Sequence, residues 1–331
     1  MTRNLVCVGA CYLDTIFSVP HYPAEDSKLR ASSLQVRRGG NCPNTLEVLQ
    51  QFLREEQGDH ESVKIRPSLV TCLPSRNAPA TVQIIESFGV DSPVDFSRCI
   101  FRDRNEQPAS SYIIRSSATG SRTLVNYNDL AEMSFHEFVA AAESVGGEDA
   151  WFHFEGRIPA TTLQCIQWLR RSKPKARVSV EVEKPGREGL EKLVAEADVI
   201  FFSRSWAESN SYTSAEECLL AQSAKARRGS HLFCTWGSQG AACSSPDGTI
   251  ASCSATQPGQ TIRVIDTVGA GDTFIAGILF GFLQHDYDWD NRTKLSFAVQ
   301  LATCKVQQEG FKDLGFKARK CTAVARVEVD K

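Results

Sequence analysis

Apolar positions along the chain recur with two periods. In residues 42–56, Leu46, Leu49, Phe52 and Leu53 fall on one helical face, and Pro43 suits a first turn. "LVCVG" (5–9) and "SLVTCL" (68–73) are short continuous apolar runs, the pattern of strands buried on both faces. From residue 134 the two kinds of segment alternate. "SFHEFVAAAESV", "ATTLQCIQWLRR", "REGLEKLVAEA" and "SAEECLLAQSAKARRG" read as helices, the first and last with capping boxes at Ser134–Glu137 and Ser214–Glu217. "WFHFEG", "ARVSVEVEK", "DVIFFS" and "HLFCTWG" read as the strands between them. "GAACSSPDGTIASCS" reads as a hairpin, "IRVID" (262–266) as a last strand, and 272–284 and 291–308 as two closing helices.

This alternation predicts an α/β fold: a doubly wound, mostly parallel sheet with helices on both faces. A helix at 80–89 stopped by Gly89 fits the same scheme. Residues 29–38 and the pair "SSYIIRS"/"RTLVNYN" break the rhythm and predict a small appended β-sheet. The expected organisation is one α/β domain over 1–315, with that sheet drawn from about 11–38 and 98–127. The tail 316–331 and the charged stretch 54–66 carry no assignable role.

Composition narrows the function classes. Of 331 residues, 42% are hydrophobic and 23% charged, and the net charge is −2, so neither disorder nor nucleic-acid binding is expected. No apolar run approaches the roughly 18 residues that span a bilayer, and the N-terminus lacks a signal-peptide apolar region, so a cytoplasmic protein is expected. The twelve cysteines include no C-x-x-C pair, so reduced, largely buried thiols are expected rather than a zinc cluster.

The chemistry concentrates in "RVIDTVGAGDTFIAGILFGFL" (263–283). Glycines at 269 and 271 can take positive φ and let a ligand approach the backbone. Backbone N–H groups at a helix start form an anion hole suited to a phosphoryl group. Asp272 beside them is either a helix cap or a base that takes a proton from an attacking hydroxyl. No Gly-Lys dipeptide exists for a Walker loop, and Phe274 occupies the third glycine position of a dinucleotide fingerprint.

"DTVGAGDTF" resembles the carboxy-terminal signature of the ribokinase-like (PfkB) carbohydrate kinases, and "RRGGNCPNTLEVL" (37–49) resembles their amino-terminal glycine signature. Further stretches, among them "CVGACYLDTI", "YPAEDSKLR", "FHFEGR" and "RVSVEVEKPGREGL", are most similar to the ketohexokinase branch, from residue 5 to about 311. The resemblance implies an ATP- and Mg2+-dependent kinase that phosphorylates fructose at its 1-hydroxyl. Another sugar or a nucleoside, or a catalytically silent binding protein, are the alternatives. It implies Asp272 as catalytic base and Gly269, Ala270 and Gly271 as anion hole. Asp14, Asp26, Gly40, Asn41, Asn44 and Arg157 are implied at the sugar, a set whose carboxylates and carboxamides suit a polyol. Arg122, Arg204, Trp236, Gly237, Gly240 and Gly310 are implied at the nucleotide. Taken singly, Asp14 is also an ordinary turn residue, Glu155 and Arg157 an ordinary ion pair, and His153 an ordinary core histidine.

The resemblance further implies that the small sheet is a lid over the sugar and the surface of a homodimer. It leaves open a monovalent cation such as K+ near the anion hole, held by backbone carbonyls. Two departures stand out. "LPSRNAPATV" lacks the glycine-rich turn usual after strand 68–73, so that side of the sugar pocket is expected to be altered. "SRSWAE" has Arg204 where many relatives carry the Asn of an Asn-x-x-Glu motif. Cys42 and Pro43 also replace small residues in the glycine signature.

Overall fold

The computed structural model describes residues 2–55, 63–256 and 261–317. The N-terminal apolar run forms β1 (Thr2–Val8), followed by β2 (Tyr12–Val19), β3 (Ser33–Gly39), α1 (Asn41–Glu55), β4 (Lys64–Val70), β5 (Cys72–Pro74), α2 (Pro79–Glu86) and β6 (Ile100–Arg102). Then come the hairpin β7 (Ser110–Ser116) and β8 (Arg122–Tyr127), α3 (Phe135–Glu143), β9 (Ala150–Phe154), α4 (Pro159–Ser172), β10 (Arg177–Val182) and α5 (Leu190–Val194). The chain continues through β11 (Val199–Phe202), α6 (Arg204–Ser209), α7 (Ala215–Ser223), β12 (His231–Thr235), β13 (Ala241–Ser244), β14 (Ile250–Cys253), α8 (Ala270–Gln284) and α9 (Asn291–Val306).

Eight strands form the main sheet in the order β14-β13-β12-β11-β10-β9-β1-β4. It is parallel from β12 to β4, and β13 and β14 add an antiparallel hairpin at one edge. β1 shows why both faces are covered: Leu5 and Cys7 enter the core shared with α1, α8 and α9, whereas Val6 and Val8 enter the core shared with α3, α4, α5 and α7. On the first side Phe52, Phe280, Phe297 and Trp289 interlock as tilted and edge-on rings.

The fold class read from the sequence is the one observed, with local corrections. The run 262–266 is not a strand. Ile265 and Asp266 donate their N–H groups to the Val306 carbonyl at the end of α9, so they have no strand partner, and β14 forms the sheet edge instead. The strand read at 68–73 begins at Lys64 and breaks at Thr71, where β5 leaves to pair with β6. The Ser134–Glu137 capping box is complete. At α7 only half a box forms: Ser214 accepts from the Glu217 N–H, while the Glu217 carboxylate turns to the Thr213 N–H and hydroxyl, both at 2.7 Å. α6 was not anticipated. Residues 56–62 of the charged stretch and 318–331 of the tail lie outside the described residues.

The second sheet, β3-β2-β7-β8, draws its strands from the two segments expected to form the lid, although β6 within the second pairs with β5 instead. Its register sends Asp14, Ile16, Arg37, Ile113, Arg115 and Leu124 toward the main domain. The opposite face carries Phe17, Leu34, Val36, Tyr112, Val125 and Tyr127, all exposed. Among the described residues no helix is long and apolar enough to cross a membrane.

Candidate active site

A cavity of about 850 Å³ lies between the lid sheet and the carboxyl ends of β10, β11 and β12, the position where open α/β sheets bind ligands. Its wall brings together Asp14, Gly40, Asn41, Asn44, Arg122, Gly269, Gly271 and Asp272 from opposite ends of the chain.

One side of the cavity is built by the loop 266–269 and the start of α8. Gly269 holds the N-cap position in left-handed conformation, φ 77°, ψ 9°. A Cβ there would also collide with the Phe311 ring, so both backbone and packing require glycine. Thr267 accepts the Ala270 N–H at 3.3 Å, while the Gly271 and Asp272 N–H groups have no acceptor among the described residues. They remain available at a helix N-terminus, as an anion hole needs.

Asp272 does not cap this helix. It sits within the first turn, three residues after the N-cap Gly269, is 8% exposed, and no side chain closes the N-cap. Its carboxylate accepts instead from Asn44 Nδ2 at 2.8 Å, and Thr45 Oγ1 donates to its carbonyl at 3.3 Å. α1 and α8 are thereby tied together head to head. Burial, reinforced by Glu181, pushes the Asp272 carboxyl well above its usual range, and the Asn44 donor opposes the shift. The Oδ1 atom of Asn44 is buried without a partner among the described residues, so an acceptor is open beside the carboxylate.

α1 starts at Asn41 because Gly40 permits a turn at φ 106° that passes close over the Ala10 carbonyl. Asn41 then reaches across the cavity floor and donates to Glu181 Oε2 at 2.6 Å and Glu183 Oε2 at 2.8 Å. Asp14 faces the cavity from the lid, half-buried; burial raises its pKa, opposed by Ser111 and Arg37.

Other expected residues lie elsewhere. Asp26 is exposed in the loop between β2 and β3, at φ 57°, and does not line the cavity. Arg157 lines a separate hollow of about 40 Å³, where it donates to Glu132 and to the Tyr12 hydroxyl. Arg204 pairs with Glu208 at 2.7 Å and lies 5.7 Å from the Trp236 ring centroid. Trp236, Gly237 and Gly240 form the turn after β12, just beyond Thr235, which does line the cavity. Gly310 adjoins Glu309 in the wall, and Ala270 adjoins Gly269 and Gly271. None of residues 74–79, where the glycine-rich turn is missing, lines the cavity.

Three acidic and two basic positions went unread. Glu181 and Glu183 stand two apart at the end of β10, so alternation turns both toward the same side; "EVE" at a strand's carboxyl end was the available signal. Asp266 also lines the wall. Arg37 and Arg115 face the cavity from the lid, and Arg115 pairs with Glu309 across it at 3.5 Å. Glu181 is 2% exposed, and burial followed by Glu183 pushes its pKa to about 8. Glu155, which accepts the Ala10 N–H at 2.7 Å, is pushed to about 7 by burial and Glu181. His153 behaves as a satisfied core histidine between Ser179 Oγ at 2.9 Å and Glu181 at 3.1 Å, with burial holding its pKa down at about 3.

Comparison with known proteins identifies the family. The model for the "pfkB family carbohydrate kinase" matches residues 2–314. Ketohexokinase of Mus musculus is 31% identical over 317 residues, covering 93% of this chain and 98% of that protein. Ribokinase of Thermotoga maritima superimposes with a TM-score of 0.75 at 14% identity, covering 96% of this chain and 99% of that one. Arabidopsis thaliana ribokinase, solved with ribose and ATP, gives 0.73 at 17% identity, covering 97% and 99%.

Proposed function

Because the chain belongs to the pfkB family of carbohydrate kinases, and is thus a phosphotransferase with an alcohol acceptor, we propose that it transfers the γ-phosphoryl group of ATP to the 1-hydroxyl of fructose. The carrying observation is the Asn44–Asp272 pair at the free N-terminus of α8. It sets a buried carboxylate between the Gly269–Gly271 loop and the polar wall of Asp14, Asn41 and Asn44. The sugar lies against that wall, and its hydroxyl gives its proton to Asp272 as the phosphoryl group is received. The N–H groups of Gly271 and Asp272 hold the phosphoryl oxygens, and Arg122, with Arg37 and Arg115, balances the remaining phosphate charge from the lid. Phosphoryl transfer demands chiefly this combination of positioning and charge stabilisation.

Mg2+ fits the donor set. Glu181 and Glu183 would supply hard oxygen ligands at the cavity wall, and a dication there would offset the burial and, after it, the carboxylate repulsion that raise Glu155, Glu181 and Asp272. When bound, the ion neutralises phosphate charge. The Lid's exposed apolar face, with Phe17, Leu34, Tyr112 and Val125, supports the homodimer reading, since such a patch is costly to leave in water.

The mouse ketohexokinase supports a sugar as acceptor, and fructose is our reading of which one; the ribose-bound plant ribokinase keeps ribose as the second reading. A panel of fructose, ribose, tagatose and adenosine with ATP and Mg2+, read by ADP release, separates them. Highest kcat/KM on fructose supports the proposal, and preference for another acceptor refutes the specificity while keeping the kinase.

A further inference from the structure

Lys305 is 0% exposed, near the carboxyl end of α9. Its ammonium donates to the Asp266 carbonyl at 3.0 Å, to Asp266 Oδ2 at 3.0 Å and to the Gln308 carbonyl at 3.4 Å. The Phe311 ring centroid lies 5.5 Å away. A lysine ammonium has three donors, so all three are used, and burying such a charge is costly unless oxygens replace its water. The cage therefore has a definite occupant.

The cage belongs to the phosphate loop. Asp266 opens the segment that ends at Gly269, its carboxylate accepts the Val268 N–H at 3.0 Å, and Phe311 packs on Gly269. Burial pushes the Asp266 carboxyl up, but the Val268 N–H and the Lys305 ammonium overcome this and hold it below the usual range. The other charge facing Asp266 is Arg37 on the lid, at 3.7 Å. The loop is thus backed by a fixed positive charge whose ligands are a backbone carbonyl of the loop, its first carboxylate and a carbonyl from beyond α9.

Backbone carbonyls around one positive charge are also what a monovalent cation behind this loop requires. Here the Asp266 carbonyl is already taken by the ammonium, and a second cation beside it meets like-charge repulsion. The residues do not fit a separate K+. We propose that Lys305 is a positioning residue that serves as the built-in cation of the phosphate loop, so that phosphoryl transfer by this chain needs no monovalent cation. This rests on the kinase reading above.

The test compares chloride salts of K+, Na+ and tetramethylammonium at one ionic strength, with ATP, Mg2+ and the best sugar of the panel. The expected result for the native chain is one kcat in all three; several-fold stimulation by K+ overturns the proposal. Lys305→Ala is expected to lose about 10- to 100-fold in kcat with a smaller change in KM for the sugar, less than the loss of a direct oxyanion donor. Ammonium or methylammonium is expected to restore part of that rate. A folded variant, judged by thermal melting, that no cation rescues reduces Lys305 to a packing residue and overturns the proposal. If the variant does not fold, the native chain's salt series decides. If no sugar is turned over in any salt, the kinase reading fails, and calorimetric ADP affinity in the same salts decides instead. Equal affinity supports Lys305 as the resident cation, and K+-dependent affinity contradicts it.

Discussion

As the proposed base, Asp272 joins two demands that oppose each other at the scale of one side chain. A base must be ionised, yet burial beside Glu181 favours its protonated form, and Asn44 is the donor that favours the charge. The pH–rate profile should therefore rise as Asp272 deprotonates, on a limb above the ordinary aspartate pKa of about 3.9. Asn44→Ala removes the opposing donor, so the limb should move to higher pH and kcat should fall; an unmoved limb would assign the titration to another group. The same burial affects stability. Glu155 and Glu181 have folded pKa values raised to about 7 and 8. Their stabilising contribution is fully present below the unfolded value of about 4.3 and is lost as pH rises through those folded values. His153 and His231, lowered to about 3 and 4, act oppositely, but only below their unfolded value of 6.5. Thermal melting of the ligand-free protein should therefore fall between pH 6.5 and 8, and Glu181→Gln should flatten that fall. A melting temperature that rises over this window contradicts the assignment. At this scale the sequence was informative where a residue type has few uses, as with Asp272 beside two glycines. It was silent on Lys305, whose proposed role depends on α9 returning to the loop.

At the scale of elements, the junction before α8 depends on a backbone shape. Gly269→Ala places a Cβ at positive φ and into the Phe311 ring, so it should destabilise by about 1–3 kcal/mol and depress phosphate binding more than sugar binding. Calorimetry with ADP and with the sugar, alongside melting, checks both parts; equal weakening of the two ligands would make the loop a general scaffold rather than the phosphate seat. Helices were legible because their apolar periodicity and caps are local, as with Leu46, Leu49, Phe52 and Leu53 or the Ser134–Glu137 box. The run at 262–266 misled because a β-branched, apolar composition reports extended backbone and says nothing of a partner. Its donors go to Val306, more than thirty residues away in sequence. α6 was missed because six residues are too few for a periodic signal.

For the whole molecule, the site is gathered where the four-stranded sheet covers the strand ends of the eight-stranded one, so residue 14 on β2 and residue 272 on α8 meet in one cavity. The alternation of strands and helices made the architecture legible, whereas Asp26 and Arg157 show that a family signature does not fix where a loop or side chain points. If the outer face of the lid is a dimer surface, light scattering should give twice 36.5 kDa for the native chain. Val125→Asp should shift it toward the monomer, and an unchanged mass would move the interface elsewhere. The central claim is that Asp272 takes the proton of the accepting hydroxyl. Its most direct test is ADP release from ATP, Mg2+ and fructose by the native chain and by Asp272→Asn, with ADP affinity measured on both. Turnover by the native chain, a loss of about 10²–10⁴-fold in the variant, and nearly equal ADP affinity are expected. Equal turnover by the two proteins, or loss of ADP binding in the variant, would contradict it.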